Sequence, residues 1–394
     1  MPFRRAAVAL SVTLALAATT APATADPAQP ERRKLETVTI TTVGWGHGKG
    51  LSQYGARARA EAGQRWREIV RHYYPGTRWG NSGGRIRIQI SGDTSRDVVV
   101  VARPGLKLHA LGNDRTWRLR ERVHGKEVRA WKLQPAGHRS KVSFKTGRWH
   151  RWRTVKGDAE FTAGGQPIEL KTPGGRTAYR GALRSTSVND SGSKRDTVNV
   201  LPIDAYLRGV VPREVFPSWP THALRSQAVA ARTYAAFERR DNRHDPYDLC
   251  DTDACQVYGG VADETPQTDR AIKATRHKVV TREGRPIFAQ FSASNGGWSV
   301  DGGYPYLRAE ADPFDTGVLG EDPETTTFAA ADITRNWPGM GDLVSIAVTS
   351  RDGRGPYGGR ALELTVTGTG GTQTVSGDDF RDWMGLRSTL LEIT

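Results

Sequence analysis

The stretch Val211-Pro212-Arg213-Glu214-Val215-Phe216-Pro217-Ser218-Trp219-Pro220 decides the local fold, and it leads into an alanine-rich segment from Ala223 to Phe237. Each proline fixes φ at about −65° and disfavours the α conformation in the residue before it. Glu214 therefore lies on a stiff piece of backbone. Ser218 is a favourable N-cap and Pro220 is tolerated in a first turn, so the sequence predicts a helix from Ser218 to about Arg240.

Glu214 has two interpretations at this point. A carboxyl group presented rigidly at the mouth of a helix is a candidate proton donor. A carboxylate in the first turn of a helix also complements the helix dipole without any chemical role. The segment alone does not decide between them.

The predicted helix has one face of mostly small side chains. Alanines at 3.6-residue spacing predict close approach to a sheet or another helix. The residues of this face are Ala223, Leu224, Gln227, Ala228, Ala231, Tyr234 and Ala235. Gln227 is the polar exception, and it is either a satisfied core amide or a substrate contact.

The first 25 residues have the pattern of a secretory signal peptide. Arg4 and Arg5 precede a short apolar run from Ala6 to Ala18, and Ala23-Thr24-Ala25 offers small residues for cleavage after Ala25. The apolar run is shorter than the roughly 20 residues that span a bilayer. We expect a secreted or cell-wall protein without a stable membrane span after cleavage, with an uncleaved anchor as the alternative.

The chain is strongly basic. Removing residues 1–25 takes away two arginines and no acids, which lowers the formal charge from +15 to +13. This charge would suit nucleic acid, but an exported protein rarely meets any. We therefore expect an anionic wall polymer or glycan as partner rather than nucleic acid; the alternative is that the charge only keeps the protein soluble.

Short β-branched runs and 44 glycines in 394 residues predict an α+β, β-rich fold with mixed or antiparallel sheets and a few helices around a central cleft. Two further helices are predicted at Leu51 to Tyr73 and Phe380 to Leu386. The predicted strands are Val38 to Val43, Ile86 to Ile90, Val98 to Ala102, Thr197 to Leu201, Lys278 to Thr281, Ile287 to Ser292, Val344 to Thr349 and Leu362 to Thr367.

The predicted core comprises residues 26–103 and 179–394. Residues 104–178 read as a basic β-rich insertion, and ten Lys and Arg residues fall between Arg139 and Arg180. Trp149 and Trp152 lie among them.

Two cysteines, Cys250 and Cys255, have four residues between them. Exported cysteines normally oxidise, so a local disulfide is expected if their Cα atoms come within reach. His244 lies six residues before Cys250, and a zinc site of His244, Cys250 and Cys255 with an open position is the weaker alternative. No other cofactor is expected.

Two glycine-rich segments could line a cleft. Gly46-His47-Gly48-Lys49-Gly50-Leu51-Ser52-Gln53 lacks the residue order of a nucleotide-binding loop. Ser292-Ala293-Ser294-Asn295-Gly296-Gly297 lacks the order of a serine-hydrolase elbow. Each combines small polar side chains with backbone freedom, and a plain structural turn is the alternative for both.

Several of these segments together resemble the stage II sporulation protein D and amidase-enhancer LytB family. The resemblance is carried by Arg208 to Glu214, by Ser218-Trp219-Pro220, by Ala223 to Ala235, by Cys255 to Gly260, by Ser292 to Gly297 and by Gly46 to Ala56. It covers roughly residues 38–77 and 178–390. The motif from Glu214 into the helix is long and specific.

The resemblance implies a peptidoglycan-active protein. The sporulation branch of the family consists of lytic transglycosylases that act on peptide-stripped glycan strands, and its catalytic glutamate aligns with Glu214. The other branch implies a non-catalytic wall-binding module that enhances an amidase. A third possibility is a basic polysaccharide-binding protein without catalysis.

The sequence departs from the family pattern in three places. The Gly-His-Gly segment usually closes the family domain but here precedes the core, which predicts a circular permutation. His222 replaces a common acid and Leu51 a usual Met, and residues 104–178 exceed what the family core needs.

For the enzyme interpretation, a single acid suffices when the sugar's own 6-hydroxyl is the nucleophile. We assign Glu214 as acid and base. The first step needs its protonated form; a helix N-terminus would lower its pKa and burial would raise it, so catalysis requires the effect of burial to be the larger one. Asp204, the nearest carboxylate upstream, is expected to be structural. The expected cleft residues are Gln227, Arg232, His47, Gln53, Ser294 and Asn295.

Overall fold

The computed structural model describes residues 34–318 and 322–394. The predicted signal peptide at residues 1–25 lies outside the described residues. In the described part, the fold is α+β and β-rich with mixed and antiparallel sheets, as predicted.

The N-terminal part places two short helices between strands. Its elements are β1 Thr37–Thr42, β2 Leu51–Ser52, α1 Gln53–Glu61, α2 Trp66–Tyr73, β3 Arg78–Asn81 and β4 Arg85–Gln89. The prediction of a single helix from Leu51 to Tyr73 is wrong, because this range contains β2 and two separate helices, α1 and α2. Gly63 adopts φ +87° between α1 and α2, a left-handed conformation that ends a helix.

The middle of the chain is almost entirely β. Its strands are β5 Val98–Val101, β6 Lys107–Ala110, β7 Arg115–Arg118, β8 Arg122–Val123, β9 Lys126–Glu127, β10 Ala130–Ala136, β11 Arg139–Lys145, β12 Trp149–Lys156, β13 Ala159–Thr162, β14 Ile168–Thr172, β15 Gly175–Tyr179, β16 Ala182–Ser187 and β17 Arg195–Pro202.

The segment after β17 carries four of the eight α-helices in the described residues. Its elements are α3 Ile203–Tyr206, a 3₁₀ turn Leu207–Gly209, α4 Val211–Glu214, α5 Thr221–Asp241, β18 Leu249–Cys250, a 3₁₀ turn Gly260–Asp263, α6 Pro266–Ala274, β19 Lys278–Arg282, β20 Arg285–Pro286 and β21 Phe291–Ser292. The strand predicted over Ile287 to Ser292 is reduced to β21.

The C-terminal part packs against the first strand. Its elements are β22 Glu324–Ala329, α7 Ala330–Thr334, β23 Leu343–Arg351, a 3₁₀ turn Pro356–Gly358, β24 Ala361–Gly368, β25 Gly371–Ser376, α8 Gly377–Met384 and β26 Leu391–Ile393. β1 lies between β22 and β26, antiparallel to both. Val38 and Ile40 of β1 join a core with Leu364 and Phe380.

Two large sheets dominate the middle of the molecule. The seven-stranded sheet has the order β18-β4-β17-β16-β13-β6-β7, and the six-stranded sheet has the order β12-β11-β10-β5-β14-β15. Neighbouring strands are antiparallel except β18 and β4, which are parallel. One hydrophobic core runs from the sheets to α5 and includes Ile88, Trp131, Phe161 and Ala231.

Strands inside residues 104–178 pair with strands outside that range. β10 and β14 both pair with β5, and β13 pairs with β16. The basic β-rich stretch therefore contributes strands to sheets that it shares with its flanking residues, and only the short pair β8–β9 among its described strands forms a sheet within the stretch. Its origin as an insertion, and the predicted circular permutation, stay predictions.

The long helix α5 lies at the centre of the fold. It begins at Thr221, after Pro220 in an extended conformation without a side-chain cap, so Ser218 is not the N-cap that the sequence predicted. The alanines of the predicted face are buried as expected, and α5 as a whole packs against α1, α2 and α6. This packing brings the N-terminal glycine loop next to Glu214.

Candidate active site

A cleft of about 810 Å³ opens beside Glu214. Five segments surround it: the N-terminal glycine loop with the start of α1, the end of α4 with the loop to α5, α5 itself at Tyr234, the cysteine loop at 253–257, and the chain at 288–293. Its lining residues are Trp45, Gly46, His47, Gln53, Tyr54, Arg213, Glu214, Phe216, Trp219, Tyr234, Asp253, Ala254, Cys255, Gln256, Val257, Phe288, Gln290, Phe291, Ser292 and Ala293.

Glu214 is the last residue of the short helix α4, with Pro212 in its first turn. Val215 returns to an extended conformation, with φ −139° and ψ 146°. Six residues then separate Glu214 from α5, whose first turn contains no acid. The interpretation of Glu214 as a complement to the dipole of α5 is therefore wrong.

Burial raises the pKa of Glu214 from an ordinary value of 4.5 to about 7. A hydrogen bond from Gln53 Nε2 to Glu214 Oε2, at 3.2 Å, opposes this shift by stabilising the carboxylate. Desolvation is the larger effect, since a charged carboxylate loses hydration in the cleft wall. A carboxyl group with this pKa can donate a proton near neutral pH and take one back.

Gln53 is held in place by the start of α1. Ser52 caps this helix by accepting a hydrogen bond from the Gly55 amide at 3.0 Å. The Ser52 hydroxyl also donates to Asp315 Oδ2 at 2.5 Å, deep in the protein. The amide of Gln53 is thereby directed at Glu214 by a buried network.

His47 lines the cleft from the glycine loop. Its Nδ1 accepts a hydrogen bond from the Lys49 amide at 2.9 Å, which leaves the proton of the neutral ring on Nε2. Burial lowers the pKa of His47 to about 4, and the positive charges of Lys49, Arg381 and Arg360 act in the same direction. His47 is therefore a neutral imidazole at physiological pH.

The glycine loop lies directly on the segment that precedes and forms β21. A Cβ at Gly50 would come within 2.0 Å of the Gln290 carbonyl oxygen, and Gly50 has φ +70°. β2 then pairs in parallel with β21. Glycine is required here by close backbone approach, which is the structural reason for the motif.

Ser294 and Asn295 lie beneath the cleft and not at its surface. Both are fully buried. The Ser294 hydroxyl donates to Asp315 Oδ1 at 2.7 Å, and Asn295 Nδ2 donates to Asp312 Oδ2 at 3.1 Å. Ser292 and Ala293, from the same predicted segment, line the cleft instead.

Arg232 and Gln227 also lie away from the cleft lining. Arg232 is fully buried, and its Nε donates to Asp204 Oδ1 at 2.7 Å. The Asp204 side chain is thus engaged in an ion pair, as expected for a structural acid. Gln227 is 1% exposed, and neither amide atom has a hydrogen-bond partner among the described residues. Gln227 therefore matches neither of its two predicted roles, since its amide is not hydrogen-bonded and its side chain does not line the cleft.

Cys250 and Cys255 are joined by a disulfide bond, with Cα atoms 5.6 Å apart. The bond closes the loop that forms one rim of the cleft, and Asp253, Ala254 and Cys255 face the cleft from it. His244 is exposed and accepts a hydrogen bond from Arg243. The disulfide occupies both sulfur atoms that the zinc alternative would need.

Aromatic side chains form much of the cleft wall, and the sequence reasoning missed them. Tyr54 packs edge-on against Trp219 at 5.0 Å between ring centres, and Tyr234 lies 5.4 Å from Phe288. Phe216 and Trp45 are 61% and 44% exposed. In the sequence, Phe216 and Trp219 follow Glu214 and Trp45 lies in the glycine loop, so their positions could have predicted an aromatic cleft wall. Exposed aromatic rings at a cleft bind the apolar faces of ligands.

Asp253 is also a missed cleft residue. Among the described residues that line the cleft, Asp253 and Glu214 are the two that carry a carboxyl group. Asp253 is exposed, whereas Glu214 is half-buried. Its place in the disulfide loop, between two cysteines predicted to pair, could have marked it as a rim residue.

Comparison with known proteins shows the family of this chain. A family described as stage II sporulation protein matches residues 191–281, which include Glu214, α5 and the disulfide loop. Stage II sporulation protein D of Bacillus amyloliquefaciens is 56% identical over 257 residues, which cover 55% of this chain and 70% of that protein. The chain belongs to the stage II sporulation protein D and amidase-enhancer family.

Two further family members show how the match varies. Stage II sporulation protein D of Bacillus subtilis (strain 168) is 28% identical over 217 residues, 49% of this chain. The amidase enhancer of the same organism is 37% identical over 115 residues, 28% of this chain. The chain spans 60% of the length of the former protein and 15% of the latter.

None of the helices in residues 34–318 and 322–394 is long and apolar enough to cross a membrane.

Proposed function

We propose that this protein is a peptidoglycan lytic transglycosylase that cleaves the MurNAc–GlcNAc bonds of glycan strands and leaves 1,6-anhydro ends. The observation that carries the proposal is Glu214, a half-buried carboxyl group whose pKa is raised by desolvation to about 7, in a cleft walled by aromatic rings. Aromatic rings suit the apolar faces of sugars, and the acid suits protonation of a glycosidic oxygen.

In the proposed reaction, protonated Glu214 donates its proton to the glycosidic oxygen as the bond from that oxygen to the anomeric carbon breaks. The 6-hydroxyl of the same muramic acid then attacks the anomeric carbon. The carboxylate of Glu214 accepts the hydroxyl proton and returns to its starting form. No water is consumed, and the step requires neither a metal nor another cofactor.

Gln53 and His47 have supporting roles in this proposal. Gln53 contacts Glu214 Oε2 and so orients the other oxygen, Oε1, toward the substrate. Neutral His47 offers an Nε2–H donor for a sugar hydroxyl or acetamido oxygen. Arg232, Ser294 and Asn295 support the cleft from behind.

Digestion of purified sacculi tests the proposal. The wild-type protein should release products with anhydro ends, detected by mass spectrometry, from intact or amidase-treated sacculi. Glu214→Gln should abolish them, while Glu283→Gln, a matched change at an exposed carboxyl in a turn, should not. Activity only on amidase-treated sacculi would define peptide-stripped strands as substrate.

Asp253→Asn separates transglycosylation from hydrolysis. If Asp253 acted as the second carboxylate of a hydrolase, the products would carry reducing ends and their release would depend on Asp253. We expect anhydro ends from the Asp253→Asn variant as well. Reducing ends from the wild-type protein would overturn the proposed reaction.

A second candidate function is a wall-binding module that enhances an amidase without cleaving glycan. It is favoured by the similarity to the amidase enhancer over 115 residues. Binding to sacculi without glycan products, together with faster release of stem peptides by an added amidase, would establish it. Both functions would act at the cell wall, in agreement with the predicted signal peptide.

A further inference from the structure

A second groove, of about 420 Å³, lies where the edge strands of the two large sheets meet. β7 ends the seven-stranded sheet and β12 ends the six-stranded sheet. The groove is lined by Asn113, Arg115, Trp117, Arg139, Trp152, Arg153, Thr154, Val155 and Lys156. These residues belong to the basic stretch that the proposed reaction does not use.

The centre of the groove is an arginine between two tryptophans. The Arg153 guanidinium lies 3.8 Å from the ring centre of Trp152 on its own strand and 4.8 Å from that of Trp117 on β7. Arg115 approaches the Trp117 ring at 5.4 Å. Stacking on aromatic faces holds a guanidinium in a fixed plane while leaving its N–H groups available for an anion.

A β-bulge produces this arrangement. Along β12, Arg151 is opposite Ser143 and Arg153 is opposite Val142, so Trp152 is the extra residue. Neighbouring side chains on a regular strand point to opposite faces, and a bulge re-aims them. The bulge thus lets Trp152 and Arg153 contact each other.

The positive charge of the groove is not neutralised by ion pairs within residues 34–318 and 322–394. Among the described residues, no carboxylate forms an ion pair with Arg115, Arg139, Arg153 or Lys156, and none lines the groove. The nearby acids Asp114 and Asp158 are paired with His109 and Arg195 instead. Burial and the charge of Arg115 lower the pKa of Arg153, in agreement with an uncompensated site.

We propose that this groove binds an anionic glycopolymer through its repeated phosphate or carboxylate groups. The arginines would pair with the oxyanions, and Trp117 and Trp152 would hold the arginines and contact the sugar or polyol units. Such a site would retain the protein in the wall at a surface separate from the cleft. It does not depend on the reaction proposed for Glu214.

Basic residues on edge strands also prevent sheets from pairing with one another. That role requires charge alone. Protection of the edge strands requires neither a groove nor an arginine held between tryptophan rings of two different sheets. The presence of both features therefore favours a ligand-binding role for these residues.

Binding of defined polymers tests the site. Poly(glycerol phosphate) and polygalacturonate serve as phosphate and carboxylate probes, with neutral dextran and duplex DNA as comparisons. We expect the wild-type protein to bind at least one anionic glycopolymer more tightly than dextran or DNA. Binding of one probe alone identifies the anion, and binding of both assigns oxyanions in general.

The variant Arg115→Gln/Arg139→Gln removes two exposed charges and leaves the sandwiched Arg153 in place. It should weaken polymer binding at least tenfold and lower the slope of log affinity against log salt by about 1–2. The matched variant Arg270→Gln/Arg354→Gln removes two exposed charges on other elements and should weaken binding less than twofold. Equal effects of the two pairs would overturn the proposal.

Trp117→Leu provides the second test. It should weaken polymer binding while leaving the salt slope nearly unchanged, because it removes a ring and no charge. Unaltered binding in a variant that melts like the wild type would overturn the role of the aromatic sandwich. Equally tight binding of DNA, or binding of neither probe, would overturn the site as a glycopolymer site.

Discussion

Gln53 and Glu214, 161 residues apart in the chain, are joined by a 3.2 Å hydrogen bond at the wall of the cleft. Gln53 is the first residue of α1 and Glu214 the last residue of α4. The bond links the N-terminal glycine loop to the proline-rich segment before α5. This hydrogen bond lowers the pKa of Glu214 and so opposes the larger, upward effect of burial.

The pH dependence of cleavage should follow the protonation of Glu214. The acid form is needed for the first step, and its pKa is about 7. We expect kcat/KM to be level below about pH 6 and to fall tenfold per pH unit well above pH 7. A pH–rate profile on soluble glycan strands measures this, and an activity that rises from pH 7 to 9 would contradict the assignment of Glu214 as acid.

Replacing Gln53 by methionine should move the profile toward higher pH. The amide stabilises the carboxylate form of Glu214, so its loss should raise the pKa of Glu214 further. The alkaline limb of the kcat/KM profile should shift upward, whereas a purely structural role would lower activity equally at every pH. A limb that stays in place would show that Gln53 does not tune the acid.

Glu214→Gln should stabilise the protein at high pH and not at low pH. The pKa of the folded state, about 7, lies above the ordinary 4.5, so the folded protein holds this proton more tightly than the unfolded chain. The stability from Glu214 is present in full below pH 4.5 and is lost as the pH rises through 7. The neutral amide avoids this loss.

Urea unfolding of the wild-type and Glu214→Gln proteins at pH 5 and pH 8 measures the effect. The variant's advantage in free energy of unfolding should grow by on the order of 2 kcal/mol between the two pH values. An advantage that is the same at both pH values would contradict a raised pKa.

The sequence predicted this site unevenly, for identifiable reasons. Proline restraint and the alanine-rich helix are local, so Glu214 and α5 followed from neighbouring residues. The contact of Gln53 with Glu214 arises only when α1 packs on α5. The sequence predicted Gln53 as a cleft residue but not its contact with Glu214. Ser294 and Asn295 were placed in the right segment but on the wrong side, since the burial of a loop depends on what packs beneath it.

Arg232 and the two large sheets show the same limit. A buried arginine reads as a polar cleft residue until its partner Asp204 is seen 28 residues away. The pairing of β5 with β10 and β14 joins strands on both sides of the predicted boundary at residue 103. Short strands carry little information about their partners, whereas strand existence followed from β-branched runs.

Asp315 should be more important for stability than for substrate binding. It accepts hydrogen bonds from the Ser52 and Ser294 hydroxyls and from the amides of Asn295 and Gly317. Asp315→Ala would leave these donors buried without a partner, at a cost of about 1–3 kcal/mol for such a loss. Chemical unfolding should show at least this destabilisation.

Ser294→Ala is the matched test of the same network. It should lower the free energy of unfolding by about 1 kcal/mol or more and leave KM unchanged, because the hydroxyl faces Asp315 and not the cleft. A raised KM with unaltered stability would instead make Ser294 a substrate contact.

The Cys250–Cys255 disulfide should shape the rim of the cleft. It closes a short loop that presents Asp253 and Ala254 to the cleft. Cross-linking so short a loop stabilises a fold by about 2 kcal/mol. Cys250→Ser/Cys255→Ser should therefore unfold more easily and show a higher KM, with a smaller effect on kcat because Glu214 lies on a different segment.

A thiol assay on the denatured protein decides the state of this pair. We expect no free thiols before reduction and two after it. Two free thiols in the untreated protein, with one equivalent of zinc that is lost from His244→Ala, would contradict the disulfide and establish the metal alternative. In that case Cys250→Ser/Cys255→Ser should lose its zinc, and the loop at the rim of the cleft should become less ordered, because thiolates bind the ion far more tightly than hydroxyl groups do.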